Sequence, residues 1–146
     1  MSNKPIIIID DDNDDLEIIQ QALAELRVEN EIIVFNDGFA FLDYIRTTEK
    51  KSFFILCDIN MNKIGGLELK KLILDDERLR LKCVPFLFLS TSGASPAIEK
   101  AYSYNVQGYF IKPANFEKLR DMLHSIIKYW GYSEHPNKNK EQLAIQ

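Results

Sequence analysis

Five short apolar runs, at residues 5–9, 31–35, 53–57, 84–89 and 107–112, constrain this chain more than any other feature. The run at 53–57 (Phe-Phe-Ile-Leu-Cys) and that at 5–9 (Pro followed by four Ile) are too short for helices and show no alternation. They read as strands covered on both faces, as in the middle of a parallel sheet. Between and after the runs lie stretches with helical periodicity. Leu16, Ile19, Leu23 and Leu26 mark a helix over 13–27, with Asp12 as N-cap and Asp14 and Asp15 in the first turn, where the helix dipole favours acids. Phe39, Leu42 and Ile45 mark a second, after the turn at Asn36-Asp37-Gly38; Leu67, Leu69, Leu72 and Ile73 a third; Ile98, Ala101 and Tyr102 a fourth, over 97–105. Phe116, Leu119, Met122, Leu123, Ile126, Ile127 and Trp130 make the last and most amphipathic, with Gly131 as its stop. Strand and helix alternate five times, and the handedness of parallel crossovers then dictates a doubly wound α/β sheet.

A chain of 146 residues suffices for one such core. We expect a single domain over 1–131 and a polar, mobile tail over 132–146, with no second block of core sequence for an output domain. The net charge of −4 disfavours a general role on nucleic acid or acidic membranes, which would require clustered Lys and Arg. Lys50-Lys51 and Lys70-Lys71 read as solvated helix ends or faces. Cys57 and Cys83 each abut an apolar run and read as buried structural thiols. No apolar stretch approaches the roughly 20 residues that span a bilayer, and the start leads directly into a strand, so a cytoplasmic location is expected.

In a doubly wound sheet the carboxyl ends of the strands share the edge where ligands bind. Asp10 and Asp11, Asp58, Ser90 and Lys112 all fall at that edge. Carboxylates held close together repel unless a cation sits among them. An all-oxygen set with room for water suits Mg²⁺, and there is no His or Cys set for zinc. With a phosphoryl group present, the Lys112 ammonium, the metal and the Ser90 hydroxyl would share its oxygens, and Asp58 would be the nucleophile on phosphorus.

These residues, in this order and spacing, resemble the receiver domain of response regulators, the phosphorylated half of bacterial two-component systems. The resemblance runs over residues 4–130 and rests on Ile9-Asp10-Asp11, Asp58-Ile59-Asn60-Met61 with Gly65-Gly66-Leu67 behind it, Leu89-Ser90-Thr91, and Tyr109-Phe110-Ile111-Lys112-Pro113. It implies a CheY-like, flavodoxin-like (βα)5 three-layer sandwich with strand order 2-1-3-4-5. It also implies that Asp58 accepts the phosphoryl group and that Asp11 and Asp58 hold Mg²⁺, with the Asn60 carbonyl and, through water, Asp10. Ser90 would close onto the phosphate, Tyr109 would be the aromatic switch, and Lys112-Pro113 would form a cis peptide. The donor would be a histidine kinase or phosphotransfer protein. The signal would pass to a downstream protein through the face made by the fourth helix, fifth strand and last helix, which also offers a homodimer contact. Such a protein catalyses only its own phosphorylation and dephosphorylation. More narrowly, Leu89-Ser90-Thr91-Ser92, Ala101-Tyr102 and a helix ending in Trp130 resemble stand-alone regulators that work beside phytochrome-type kinases.

The sequence departs from the family pattern at Asn62, where proline is usual, at Ala114, and at Thr91, which is larger than the usual Ala or Gly and is expected to narrow water's access to the phosphate. Other classes fit less well. An aspartate-nucleophile phosphatase wants a second acid two residues past the nucleophile, where Asn60 stands. A degenerate receiver would have lost a site residue, and a nucleotide- or flavin-binding sheet would need glycine after the first strand. A phosphorelay intermediate or a phosphate sink would use the same site and stays open as an alternative.

Overall fold

In a computed structural model, which describes residues 4–138, the five runs form one parallel sheet in the order β2-β1-β3-β4-β5. The strands are β1 (Ile6–Ile9), β2 (Ile32–Phe35), β3 (Phe54–Cys57), β4 (Phe86–Ser90) and β5 (Gly108–Ile111). The helices are α1 (Asn13–Glu25), α2 (Gly38–Thr47), α3 (Gly66–Asp75), α4 (Glu77–Lys82), α5 (Ser95–Ser103) and α6 (Phe116–Tyr132). β1 and β3 are apolar throughout because both faces are covered and successive side chains point oppositely. Ile6, Ile8, Phe54, Leu56, Leu87 and Leu89 meet α1 and α6, through Leu16, Ile19, Leu23, Leu119, Leu123 and Ile126. Ile7, Ile9, Ile55, Cys57, Phe86 and Phe88 meet the other layer, through Phe41, Leu42, Ile45, Leu69, Ile73, Leu79 and Ala101. The parity of a strand residue therefore decides which helices it faces.

Several expectations are corrected. Helix α2 starts at Gly38 on an Asp37 cap, so its inner stripe is Phe41, Leu42 and Ile45, and Phe39 is exposed. In α3 the inner stripe is Gly66, Leu69, Lys70 and Ile73, which leaves Leu72 exposed. Lys70 is not solvated: it is 2% exposed, with its ammonium 5.7 Å from the centre of the Phe86 ring. The aliphatic stem of lysine allows this, and a cation over an aromatic face recovers part of the lost hydration. Tyr102 points outward because Ala101 takes the inner position of α5.

An unexpected short helix, α4, follows α3 because Asp76 is extended and its carboxylate accepts from Arg78 N–H and Leu79 N–H, restarting a helix at once. Helix α6 passes through Gly131 to Tyr132. Residues 133–138, expected in a mobile tail, fold back instead. Asn137 is buried and its Nδ2 donates to the carbonyls of Leu81, Lys82 and Val84, while His135 stacks edge-on against Trp130. The remainder of that tail, 139–146, lies outside the described residues. Cys57 and Cys83 are free and buried, as expected. No helix among the described residues is long and apolar enough to cross a membrane.

Candidate functional site

Strand register brings the acids together. Ile9 of β1 pairs with Cys57 of β3, so Asp10 and Asp58 are neighbours one step past the paired ends. The ladder carries them in place: Asp10 N–H donates to Phe35 O at 3.1 Å and Asp58 N–H to Ile9 O at 2.9 Å. Both continue the parity of Ile8 and Leu56, the face covered by α1 and α6. Lys112, anchored by its N–H to Ser90 O at 2.8 Å, continues the parity of Phe110, which packs on the same side.

The result is a crowded acidic pocket. Asp10 is 1% exposed and Asp58 9%, and one oxygen from each of Asp10, Asp11 and Asp58 lies within 4.8 Å of the others. Burial pushes the Asp58 carboxyl up to about 6. Lys112 pulls it down and Asp10 pushes it further up, while the N–H groups of Ile59 and Asn60 favour the carboxylate. Asp10 is raised by burial too, against the pull of the Asp12 N–H and of Lys112. The Lys112 ammonium lies 2.8 Å from Asp15, 3.1 Å from Asp10 and 3.7 Å from Asp58. Burial by itself would lower the Lys112 pKa, but the three carboxylates outweigh it and hold the amine above its ordinary value. Three oxygen-donor acids, two of them raised by burial, fit a hard divalent cation such as Mg²⁺, which keeps some water and takes one or two carboxylates.

Asp15 is the site residue that sequence reasoning assigned only to helix capping. The signal was present: Asp15 stands four residues before Ile19, on the stripe that α1 turns to the sheet, and Lys112 shares the parity of that covered face.

The hydroxyl side is built differently. Ser90 is fully buried and its Oγ accepts from Ser92 N–H at 3.1 Å. Tyr109 pairs with Phe88 and therefore faces the opposite layer, its ring edge-on to Phe88 and its Oη donating to Ser92 O at 2.6 Å. Ser92 thus bonds both residues through its own backbone.

A tight loop closes the site from behind. Gly66 N–H donates to Ile59 O at 2.7 Å, and a Cβ at Gly66 would lie 2.2 Å from Asp58 O and 2.8 Å from Ile59 Cα. Only glycine lets α3 start so close to the Asp58 backbone. Asn62, in place of the usual proline, has an N–H, and it donates to Asp11 Oδ2 at 2.8 Å. That departure ties the loop to the acidic cluster. Lys112–Pro113, expected to be cis, is trans, and the cis peptide among the described residues is Val84–Pro85. An X–Pro bond favours trans by about 0.5–1 kcal/mol, and the trans link suffices here to carry Lys112 to Asp10 and Asp15.

The chain matches the response regulator receiver domain model over residues 6–124. It is 33% identical to "Probable methanogenesis regulatory protein FilR2" of Methanothrix harundinacea, over 90% of this chain and 86% of that one. It is 26% identical to "Response regulator Rcp1" of Synechocystis sp., covering 88% and 91% of the two chains. The Mn²⁺-bound structure of that regulator superposes with a TM-score of 0.78 over 91% of this chain and 99% of that one, at 25% identity. The phosphorylated cyanobacterial phytochrome response regulator RcpA gives a TM-score of 0.83 at 29% identity, over 92% and 99% of the chains. The narrower likeness to phytochrome-associated regulators therefore holds as well as the general one. With its CheY-like topology and a family model that spans most of its length, the chain belongs to the response regulator receiver domain family.

Proposed function

We propose that Asp58 is the phosphoacceptor of this receiver. An Asp58 carboxylate oxygen attacks phosphorus in line, forming an acyl phosphate, while the bond from phosphorus to the donor breaks and the donor leaves with its electron pair. The donor is the phosphohistidine of a histidine kinase or phosphotransfer protein. Asp11, Asp58, the Asn60 carbonyl and, through water, Asp10 are the groups that would hold Mg²⁺, which when bound neutralises charge on the phosphoryl oxygens. Lys112 supplies a fixed ammonium to the same oxygens, and Ser90 turns its hydroxyl from Ser92 toward them. The observation that carries this reading is the convergence of two buried acids, Asp10 and Asp58, with the partly exposed Asp11 and Lys112 at aligned strand ends.

Release of Ser90 frees Ser92, and with it the hydrogen bond that holds Tyr109, so the state of Asp58 reaches the face formed by α5, β5 and α6. That face carries a cleft of about 370 Å³ lined by Tyr102, Tyr109, Ile126, Tyr129 and Trp130. It suits a downstream protein or a second copy of the chain. A second cleft of about 350 Å³, lined by Ile18, Ile19, Pro113, Phe116 and Leu119, opens beside Lys112 and gives a donor access.

The test is intact-protein mass after incubation with acetyl phosphate and Mg²⁺. One added phosphoryl group, absent without Mg²⁺ and absent in Asp58→Asn, is the expected result. Free phosphate released at a steady rate without any adduct would instead favour a phosphatase.

A further inference from the structure

We propose that Asp15 is a positioning residue that holds the Lys112 ammonium back from Asp58, so that phosphorylation must win Lys112 from Asp15. The inference rests on the reading of Asp58 as phosphoacceptor and concerns how that site is set. It is carried by three distances. The ammonium is within hydrogen-bond reach of Asp15 at 2.8 Å and of Asp10 at 3.1 Å, but 3.7 Å from Asp58 is beyond it. The two bonded partners differ in setting: the Asp10 side chain is 2% exposed and that of Asp15 is 37% exposed. Asp10 is fixed by its own bond from Asp12 N–H, whereas Asp15 is held by its place in the first turn of α1 with its side chain partly in solvent.

A group added to Asp58 presents new anionic oxygens to an ammonium with three donors. The contact Lys112 can most readily give up is the outermost, that with Asp15, because water takes over the solvation of a half-exposed carboxylate. Asp15 therefore sets a resting position for the amine and weakens its commitment to the phosphoryl group. The same carboxylate is placed by α1, so movement of α1 against a docking partner would alter the hold on Lys112 without touching Asp58.

The experiment measures affinity for beryllofluoride, a stable phosphoryl mimic, in Mg²⁺ by ¹⁹F NMR of the bound form. It pairs this with the rate of phosphoryl uptake from acetyl phosphate by intact mass. Wild type is compared with Asp15→Asn, Asp15→Glu, Lys112→Ala and the double variant Asp15→Asn/Lys112→Ala. Asp15→Asn is expected to bind beryllofluoride about three-fold more tightly and to take up phosphate faster by a similar factor, the scale of one partly screened ion pair. Asp15→Glu is expected to restore wild-type values. In the Lys112→Ala background Asp15→Asn is expected to lose most of its effect. An unchanged or weakened Asp15→Asn, or a gain that persists undiminished without Lys112, overturns the proposal. Wild type that takes up neither beryllofluoride nor phosphate overturns the reading of Asp58 itself, and this inference with it.

Discussion

The two sides of the sheet's carboxyl edge are built on opposite principles. Toward α1 and α6 lie Asp10, Asp58, Lys112 and Asp15, a charged group in which each member restrains the others. Toward α5 lie Ser90 and Tyr109, neutral and linked to each other through hydrogen bonds to Ser92. Buried charges that lose a partner cost several kcal/mol, so the charged side keeps its arrangement. A neutral hydrogen bond contributes about 1 kcal/mol net, so the hydroxyl side can exchange one arrangement for another at little cost. Chemistry belongs on the first side and signalling on the second.

The largest effect that would break this division is at the shared backbone. Gly66→Ala puts a methyl against Asp58 O and Ile59 Cα, which are backbone and cannot step aside. We expect a loss of about 3 kcal/mol or more, read as a fall in denaturation midpoint, together with loss of phosphoryl uptake. Unchanged stability would show that the loop is looser than described.

A smaller effect, of opposite sign, tests the charged side. The folded Asp58 pKa of about 6 lies above the unfolded value near 3.8. Well below pH 3.8 both states are protonated and Asp58 contributes nothing. As pH rises through 4 to 6, the unfolded chain releases its proton first, and stability falls until both are ionised. Asp58→Asn should therefore stabilise the protein above pH 7 by up to about 3 kcal/mol, with the gain vanishing by about pH 3, in chelator-containing buffer. Thermal unfolding of both proteins from about pH 3 to about pH 8 checks it, and a gain independent of pH would contradict it.

The smallest effect sharpens the hydroxyl side. Thr91 is exposed and directly follows the buried Ser90. Thr91→Ala is expected to speed loss of the phosphoryl group about two- to five-fold, the worth of roughly 0.5–1 kcal/mol, measured as decay of the phosphorylated mass.

Most of the sheet and the acidic pocket was legible because polar residues interrupt otherwise unbroken apolar strands. Asp10, Asp58, Ser90 and Lys112 are conspicuous at those breaks, and alternation with amphipathic helices fixes the edge they share. What escaped was information that charge conceals. Lys70 falls on the inner stripe of α3 with Leu69 and Ile73, but a lysine is weighed as exposed before its stem is considered. Asp15 falls on the inner stripe of α1, but acids in a first turn are fully explained by the helix dipole. The fold-back of residues 133–138 depends on Asn137 reaching carbonyls more than fifty positions earlier in the chain, and no local pattern announces it.

The most direct test of the division between the two sides is an amide NMR map of beryllofluoride binding in Mg²⁺, on wild type and on Ser90→Ala. In wild type the account predicts shifts at Asp10, Asp11 and Asp58 that continue through Ser92 and Tyr109 to α5 and the facing surface of α6. In Ser90→Ala it predicts that the shifts remain around the acids and fade before Tyr109. Shifts that reach α5 and α6 equally well without the Ser90 hydroxyl would contradict it.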